Sequence, residues 1–205
     1  MPVAIPVSDG EGSAGGSLDM TAIIHSSAST EWATPQWFVD RLAEEFAPGG
    51  FDLDPAARDW SAKAPVYYSL DRGEDGLELP WFGNVWVNPP YGRGKIGWRW
   101  LSKMVHEVTE GAAELVVALM PARTDTAWWH ELVMPNAAEI RLVCGRLTFE
   151  REDGATQHGA TFPSAILVFR RRLPWLTTRQ IILSSMGNTP ASRCPSPEES
   201  AIEEL

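Results

Sequence analysis

The sequence lacks the residue patterns that mark several common classes of active site. Its four histidines are scattered, and neither they nor the two cysteines, Cys144 and Cys194, show the spacing of a metal site. It has no glycine-rich phosphate loop and no Gly-x-Ser-x-Gly turn. These absences argue against metal-assisted hydrolysis, nucleotide triphosphate hydrolysis and serine catalysis, and we expect no metal.

Signals for secretion or membrane insertion are also missing. The two cysteines lie far apart, one in a predicted strand and one in a polar tail, so a disulfide framework is not expected. No apolar run approaches the roughly 20 residues that cross a bilayer. No basic region precedes an apolar one at the N-terminus. We therefore expect a cytoplasmic protein that does not enter membranes.

The net charge of −10 argues mildly against a nucleic-acid partner, but the charge is unevenly spread. Much of the acidic excess lies in the two tails. A basic run without acids follows Tyr91 and contains Arg93, Lys95, Arg99 and Lys103. This run is either a solvated helix face or a basic edge that contacts phosphates, and the sequence leaves both readings open.

The middle of the chain alternates between helix and strand patterns. Residues 1–29 predict a disordered tail, residues 30–175 one domain, and residues 176–205 a C-terminal extension that is mostly disordered. Periodicity predicts helices near 34–47, 96–108 and 127–133, and strands near 51–54, 84–88, 114–120, 138–149 and 164–169. This order indicates an α/β domain with a largely parallel sheet, on which ligands bind beyond the carboxyl ends of the strands.

The most informative segment is a rigid loop after one of these strands. An apolar run ending at Val87 is followed at once by Asn88-Pro89-Pro90-Tyr91. The prolines fix two φ angles, offer no N–H and favour an extended residue before each of them. The loop therefore presents an amide, backbone carbonyls and one aromatic face beyond the strand end.

Such a loop suits a planar ring that carries an exocyclic amine, such as adenine. If Asn88 Oδ1 and the Pro89 carbonyl accept the two N–H bonds, the amine lone pair is freed to attack an electrophilic methyl group. Tyr91 would stack on the ring and hold it in line. The alternative is a Pro-Pro turn that only caps the strand, with Tyr91 as packing.

Seven motifs in one order, between about Glu31 and Phe169, resemble the phage-type DNA N6-adenine methyltransferase family, which uses S-adenosylmethionine. The motifs are Glu31-Trp32-Ala33-Thr34-Pro35, Phe51-Asp52-Leu53-Asp54-Pro55-Ala56-Ala57, Asp75-Gly76-Leu77, Trp86-Val87-Asn88-Pro89-Pro90-Tyr91, Met120-Pro121-Ala122-Arg123-Thr124-Asp125-Thr126, Gly145-Arg146-Leu147-Thr148-Phe149 and Phe162-Pro163-Ser164-Ala165. The resemblance implies a compact, abbreviated Rossmann-like methyltransferase with a largely parallel sheet and a late antiparallel strand. The glycine-rich loop of larger methyltransferases of this fold is missing after Asp54.

The resemblance also implies roles for individual residues. The catalytic residues would be Asn88, Pro89, Pro90 and Tyr91. Those that bind the cofactor would be Thr34, Pro35, Asp54, Pro55 and Asp75, and those that contact the substrate would be Arg93, Lys95, Arg123, Asp125 and Arg146.

Several of these residues also have purely structural interpretations. Thr34 is a candidate N-cap of the first helix, followed by proline at the first helical position. Asp54 could be an exposed acid at a strand end, and Asp75-Gly76 a turn. Asp125 could cap a helix, and Arg146 could form a structural ion pair.

The implied function is methyl transfer from S-adenosylmethionine to N6 of adenine in DNA, by a monomer in the cytoplasm, or in the bacterial host cytoplasm if a phage encodes it. Duplex DNA would require the target base to flip out. The alternatives are transfer to RNA, to cytosine N4 or to protein glutamine, and a non-catalytic nucleic-acid-binding protein of the same fold.

Overall fold

A seven-stranded mixed sheet, with helices packed against it, forms the body of the protein. The computed structural model describes residues 33–91, 95–153, 156–157, 162–171 and 182–187. The strands are β1 (Leu53–Asp54), β2 (Val66–Tyr67), β3 (Phe82–Val87), β4 (Ala112–Pro121), β5 (Glu139–Cys144), β6 (Phe149–Glu150), β7 (Thr156–Gln157), β8 (Ser164–Arg170) and β9 (Ile182–Gly187). The large sheet has the order β2-β1-β3-β4-β8-β5-β9, and β6 pairs with β7.

The first four strands run parallel to one another. β1 pairs in parallel with β2 and β3, and β3 pairs in parallel with β4. β8 is antiparallel to both β4 and β5, and β9 is parallel to β5. The predicted fold class, an α/β domain with a largely parallel sheet and a late antiparallel strand, is confirmed.

Two amphipathic helices cover the sheet. α1 (Gln36–Phe46) precedes β1, and α2 (Ile96–Thr109) makes the crossover that parallel β3 and β4 require. Each helix buries the apolar residues that recur at helical spacing. In α1 these are Phe38, Val39, Leu42 and Phe46, and in α2 they include Trp100, Leu101, Met104 and Val108. A 3₁₀ turn (Leu70–Arg72), a π-helical turn (Trp129–Val133) and a short α3 (Met134–Asn136) complete the helical elements described.

The central strand β4 is buried on both faces. Val116 and Ala118 belong to the core cluster that contains the buried face of α2, whereas Leu115 and Val117 belong to the cluster that contains the buried face of α1. A strand covered on both sides has no polar face. This explains why the sequence of β4 from Leu115 to Pro121 is a continuous apolar run rather than an alternating one.

The predicted elements occur with shifted ends, and one prediction is wrong. The single strand expected at 138–149 divides into β5 and β6, because Gly145 adopts a left-handed φ of 78° that breaks the extended run. The sequence reading also missed β2, β7 and β9. Apart from β9, the predicted extension after residue 175 lies outside the described residues, as do residues 1–29, so disorder in the tails and the domain bounds remain predictions. Among the residues described, no helix is both long and apolar enough to span a bilayer.

The expectation that the cysteines stay unpaired is also wrong, because Cys144 is disulfide-bonded. β9 runs alongside β5, with Gly187 opposite Cys144, so the C-terminal chain returns to the strand that carries this cysteine. Cys194 itself lies outside the described residues. The cysteines therefore no longer support the expected cytoplasmic location.

Gly76 brings the turn after the 3₁₀ segment against the end of β1. A Cβ atom at this position would lie 1.9 Å from the Pro55 carbonyl oxygen. The Gly76 carbonyl also accepts a hydrogen bond of 2.7 Å from Trp81 Nε1, which is buried in the core. The turn therefore cannot move away from Pro55 without breaking this bond.

We predict that Gly76→Ala destabilises the protein by roughly 1–3 kcal/mol, because an inserted methyl group must displace backbone. Gly97→Ala is the matched control, since a Cβ there meets nothing within 4 Å and the residue lies in α2. The control should leave stability unchanged or raise it by up to about 1 kcal/mol. Urea unfolding of both variants measures the difference, and equal stabilities would contradict the close packing at Gly76.

Candidate functional site

Parallel pairing gathers the predicted site residues at one edge of the sheet. Leu53 of β1 pairs with Val85 of β3, so Asp54, the last residue of β1, and Asn88, which follows β3, lie at the ends of neighbouring strands that point the same way. On the other side of β4, antiparallel pairing places Pro121 opposite Ser164. The start of β8 therefore reaches the same edge, at the carboxyl ends of the parallel strands, where α/β proteins bind ligands.

The side chain of Asn88 is held from two sides. Its Nδ2 donates to Thr34 Oγ1 at 3.1 Å, and its Oδ1 accepts from the Tyr91 hydroxyl at 2.5 Å. Pro89 is buried and Pro90 is exposed, so the loop turns out of the core between them. The structure thus brings together Thr34, Asn88 and Tyr91, which the sequence assigned to two different parts of the site.

The hydroxyl of Tyr91 is held by hydrogen bonds, whereas the residue is partly exposed to solvent. Besides Asn88, the hydroxyl contacts the Leu119 carbonyl at 2.6 Å, and burial raises the pKa of Tyr91 well above its ordinary value. The residue as a whole remains 36% exposed. An amide oxygen has two lone pairs, so Asn88 Oδ1 can accept from another N–H while the Tyr91 hydroxyl stays beside it.

Phe162 is a site residue to which the sequence reading assigned no role. Its ring lies edge-on to Tyr91, with ring centroids 5.3 Å apart and planes at 82°. The Arg123 guanidinium lies 5.8 Å from the centre of the same ring. Phe162 belongs to the Phe-Pro-Ser-Ala motif, but only the antiparallel return of β8 places it beside Tyr91.

The alternative interpretation of Thr34 as a helix cap is wrong. Pro35 occupies the N-cap position of α1, and no side chain caps that helix. Thr34 is only 2% exposed, and its hydroxyl faces Asn88 instead. The preceding residue, Ala33, forms an isolated antiparallel bridge with Glu150, which fixes this segment across the site.

Asp54 is buried rather than an exposed strand-end acid. It is 4% exposed and accepts hydrogen bonds from the backbone N–H of Ala56 at 3.2 Å and of Lys63 at 3.1 Å. Burial is the largest influence on the carboxyl and raises the pKa of Asp54 to about 7, although both hydrogen bonds oppose this. The carboxyl therefore ties the loop after β1 into a fixed shape.

The loop after β1 also contacts Asp75 and the start of α1. Asp75 Oδ1 accepts from Leu77 N–H at 2.9 Å, which is the turn geometry considered from the sequence, and neighbouring Gly76 lies against buried Pro55. Lys63, whose N–H binds Asp54, donates from Nζ to Gln36 Oε1 at 3.2 Å. The first turn of α1 is thus linked to Asp54.

Two residues of the basic run after Tyr91 form ion pairs within the protein. Lys103 pairs with the buried Glu107 at 2.7 Å, and Arg99 pairs with Glu78 at 3.4 Å. Glu107 also accepts from the backbone N–H of Trp81 at 3.2 Å, so this ion pair is part of the core. The basic edge therefore does not include Lys103.

The other predicted substrate residues surround the site on the surface. Arg123 and Asp125 are exposed just after β4, Lys95 is exposed at the start of α2, and Arg146 is exposed after β5. Arg93 lies outside the described residues. Trp129 is buried and Trp128 packs against the core, so this pair contributes packing. Among the described residues, no group of three or more His, Cys, Asp or Glu side chains is placed to hold a metal ion.

Comparison with known proteins identifies related sequences. A model of the DNA N-6-adenine-methyltransferase (Dam) family matches residues 22–193. A DNA N-6-adenine-methyltransferase of Escherichia phage T1 is 32% identical over 120 residues, which are 57% of this chain and 46% of that protein. The matched region thus spans less than half the length of the phage T1 protein. A class I S-adenosylmethionine-dependent methyltransferase from Listeria monocytogenes superposes with a TM-score of 0.48 at 13% identity, over 84% of this chain and 69% of that one.

We predict that Asp54 makes the stability of the ligand-free protein fall as the pH rises. Its folded pKa of about 7 lies above the ordinary 3.8, so the folded state holds the proton more tightly than the unfolded state. The contribution is complete below about pH 3.8 and is lost by about pH 7, and it amounts to at most ~4 kcal/mol at about 1.4 kcal/mol per pKa unit.

Urea unfolding of the wild type and of Asp54→Asn at pH 5 and pH 8 measures this effect. The amide cannot ionise, so the variant should lack the part of the pH dependence that comes from Asp54. Asp125→Asn, which changes an exposed acid at the same edge, is the control and should follow the wild type. An unchanged pH dependence in Asp54→Asn would rule out Asp54 as its source.

Proposed function

We propose that this chain, which belongs to the DNA N-6-adenine-methyltransferase family, transfers a methyl group from S-adenosylmethionine to N6 of adenine in DNA. The observation that carries the proposal is the Asn88 amide, fixed at the carboxyl edge of the sheet beside two aromatic rings, Tyr91 and Phe162. This arrangement combines hydrogen-bond acceptors for an exocyclic amine with surfaces for a planar base.

In the proposed reaction, Asn88 Oδ1 and the Pro89 carbonyl accept the two N–H bonds of the adenine amine. These bonds draw the nitrogen toward tetrahedral geometry and direct its lone pair away from the ring. Methyl transfer to this nitrogen would displace the sulfur of S-adenosylmethionine as a neutral thioether, which would keep the electrons of the broken carbon–sulfur bond. The nitrogen is then cationic and loses a proton to solvent, so no strong base is needed.

Tyr91 and Phe162 would hold the target base. Tyr91 is anchored through Leu119, so its ring can contact the base while Asn88 Oδ1 accepts from the amine. Phe162 stands edge-on to Tyr91 and gives the pocket a second aromatic wall. An adenine in duplex DNA would have to leave the base stack to reach this position.

The cofactor would lie between the loop after β1 and the first turn of α1. The residues fit its chemistry: Asp54 and Asp75 carry carboxylates suited to an ammonium group or to ribose hydroxyls. The first turn of α1, which follows Thr34 and Pro35, has N–H groups without partners inside the helix, as a carboxylate requires. Pro55, which packs against Gly76, would line the bottom of the cofactor site. S-adenosylmethionine, when bound there, supplies the electrophilic methyl group.

The exposed residues around the pocket would contact the nucleic acid. Arg123, Lys95 and Arg146 can bind phosphates, and we include Arg93 in this set from the sequence. Asp125 could accept a hydrogen bond from a base edge. We propose that the enzyme acts as a monomer. The proposed substrate places the enzyme in the cytoplasm, or in that of the bacterial host if a phage encodes it.

We predict that purified protein transfers tritiated methyl groups from S-adenosylmethionine to DNA, and that digestion recovers the label in N6-methyladenine. DNA, RNA and a protein mixture are tested side by side. Label confined to RNA, to N4-methylcytosine or to protein would replace the proposed substrate. A folded protein that binds DNA but transfers nothing would make the chain a binding protein instead.

We predict that Asn88→Ala lowers methyl transfer at least ~100-fold, because the amine loses a preorganised acceptor. Its affinity for S-adenosylmethionine, measured by calorimetry, should change less than about threefold, since the cofactor residues are untouched. Asn136→Ala removes an asparagine that only bonds the Leu132 carbonyl in a helical turn, and it should transfer at the wild-type rate. Equal losses of affinity and turnover in Asn88→Ala would show that Asn88 is structural.

A further inference from the structure

We infer that Thr34 is a positioning residue that fixes the orientation of the Asn88 amide, in addition to any contact with the cofactor. The inference rests on the proposed function, because it assigns a purpose to this orientation. The observation behind it is the hydrogen bond of 3.1 Å from Asn88 Nδ2 to Thr34 Oγ1, between residues 54 positions apart in sequence.

The structure gives the Thr34 hydroxyl no task in the helix that follows it. Pro35 holds the cap position without a side-chain hydrogen bond, so the hydroxyl is available to Asn88. At 2% exposure, Thr34 cannot turn its hydroxyl out to water without leaving the site. The Ala33–Glu150 bridge, with backbone bonds of 2.8 and 3.0 Å, keeps the segment in place.

Orientation matters because the two ends of an amide have opposite hydrogen-bonding character. Its oxygen accepts, whereas its nitrogen only donates. If the Asn88 amide rotated by half a turn, an NH₂ group would face the amine of the base, and two donors would meet. Tyr91 cannot prevent this rotation alone, because a phenol can either donate or accept.

Thr34 selects the reactive orientation when its own proton is donated to the carboxylate of the cofactor, because its hydroxyl can then only accept, and Asn88 must present Nδ2 to it. After accepting this bond, the hydroxyl still has its own proton, which can be donated to the carboxylate of the cofactor. The two roles of Thr34 are compatible, but they predict different kinetic effects. Loss of a cofactor contact weakens cofactor binding, whereas loss of amide orientation slows the transfer step itself.

The test compares Thr34→Val with Thr34→Ser in the full chain. Valine keeps the shape and removes the hydroxyl, so we expect the single-turnover rate with saturating S-adenosylmethionine and DNA to fall roughly 10- to 100-fold. Saturation with S-adenosylmethionine removes the effect of any lost cofactor contact, so this rate reports the transfer step alone. Serine restores the hydroxyl and should recover most of the rate. Thr109→Val, which removes a hydroxyl that bonds only backbone carbonyls at the end of α2, controls for the loss of a threonine and should match the wild type.

Three outcomes would overturn the inference. In the first, Thr34→Val transfers at the wild-type rate. In the second, the rate is unchanged at saturation and only the Kd for S-adenosylmethionine rises, which makes Thr34 solely a cofactor ligand. In the third, Thr34→Ser is as slow as Thr34→Val, which means that packing rather than the hydroxyl matters.

A thermal unfolding cycle tests the contact separately from activity. Thr34→Val should lower Tm by roughly 2–4 °C in the wild type but not in an Asn88→Ala background, because the partner is already gone. Equal shifts in both backgrounds would contradict the contact. If the wild type methylates no DNA, the proposed function is refuted. If the wild type methylates DNA but the two substitutions change Tm additively, only the role of Thr34 is refuted.

Discussion

The position of β4 between a parallel and an antiparallel neighbour is the constraint on which the site depends. β3 pairs with β4 as far as Val87 opposite Ala118, and it then ends at two prolines that have no N–H to continue the ladder. The next carbonyl on β4, that of Leu119, accepts from the Tyr91 hydroxyl instead. Besides stiffening the loop, the prolines therefore leave the Leu119 carbonyl to accept from the Tyr91 hydroxyl, which anchors Tyr91.

The other side of β4 contributes the second wall of the pocket. Antiparallel β8 starts opposite the end of β4, and the Pro163 carbonyl accepts from Ala122 N–H at 2.8 Å. A parallel strand at this place would start at the opposite edge of the sheet and carry Phe162 away from Tyr91. The direction of one strand therefore decides whether the loop faces a second aromatic ring.

The sequence predicted what depends on local pattern and strand direction. Strand patterns ending at Asp54 and Asn88 were sufficient to place both residues at the ligand edge, because the carboxyl ends of parallel strands share an edge. Contacts between segments that are distant in sequence cannot be predicted from local patterns. The bond from Asn88 to Thr34 and the packing of Phe162 on Tyr91 join side chains whose separations in sequence follow no period. For the same reason, the sequence allows a helix cap as one interpretation of Thr34, although Pro35 takes that position.

The two halves of the site are held by different kinds of force, and they meet at α1. Directional hydrogen bonds fix the half around Asn88, whereas close backbone packing of Gly76 on Pro55 and a buried carboxyl shape the half around Asp54. Thr34 immediately precedes α1, and the first residue of α1, Gln36, accepts from Lys63, whose own N–H binds Asp54. A ligand that moves the start of α1 must therefore disturb both halves together. In the proposed reaction, that start is where the methionine end of the cofactor binds, so cofactor binding and alignment of the acceptor for the base amine would share one structural element.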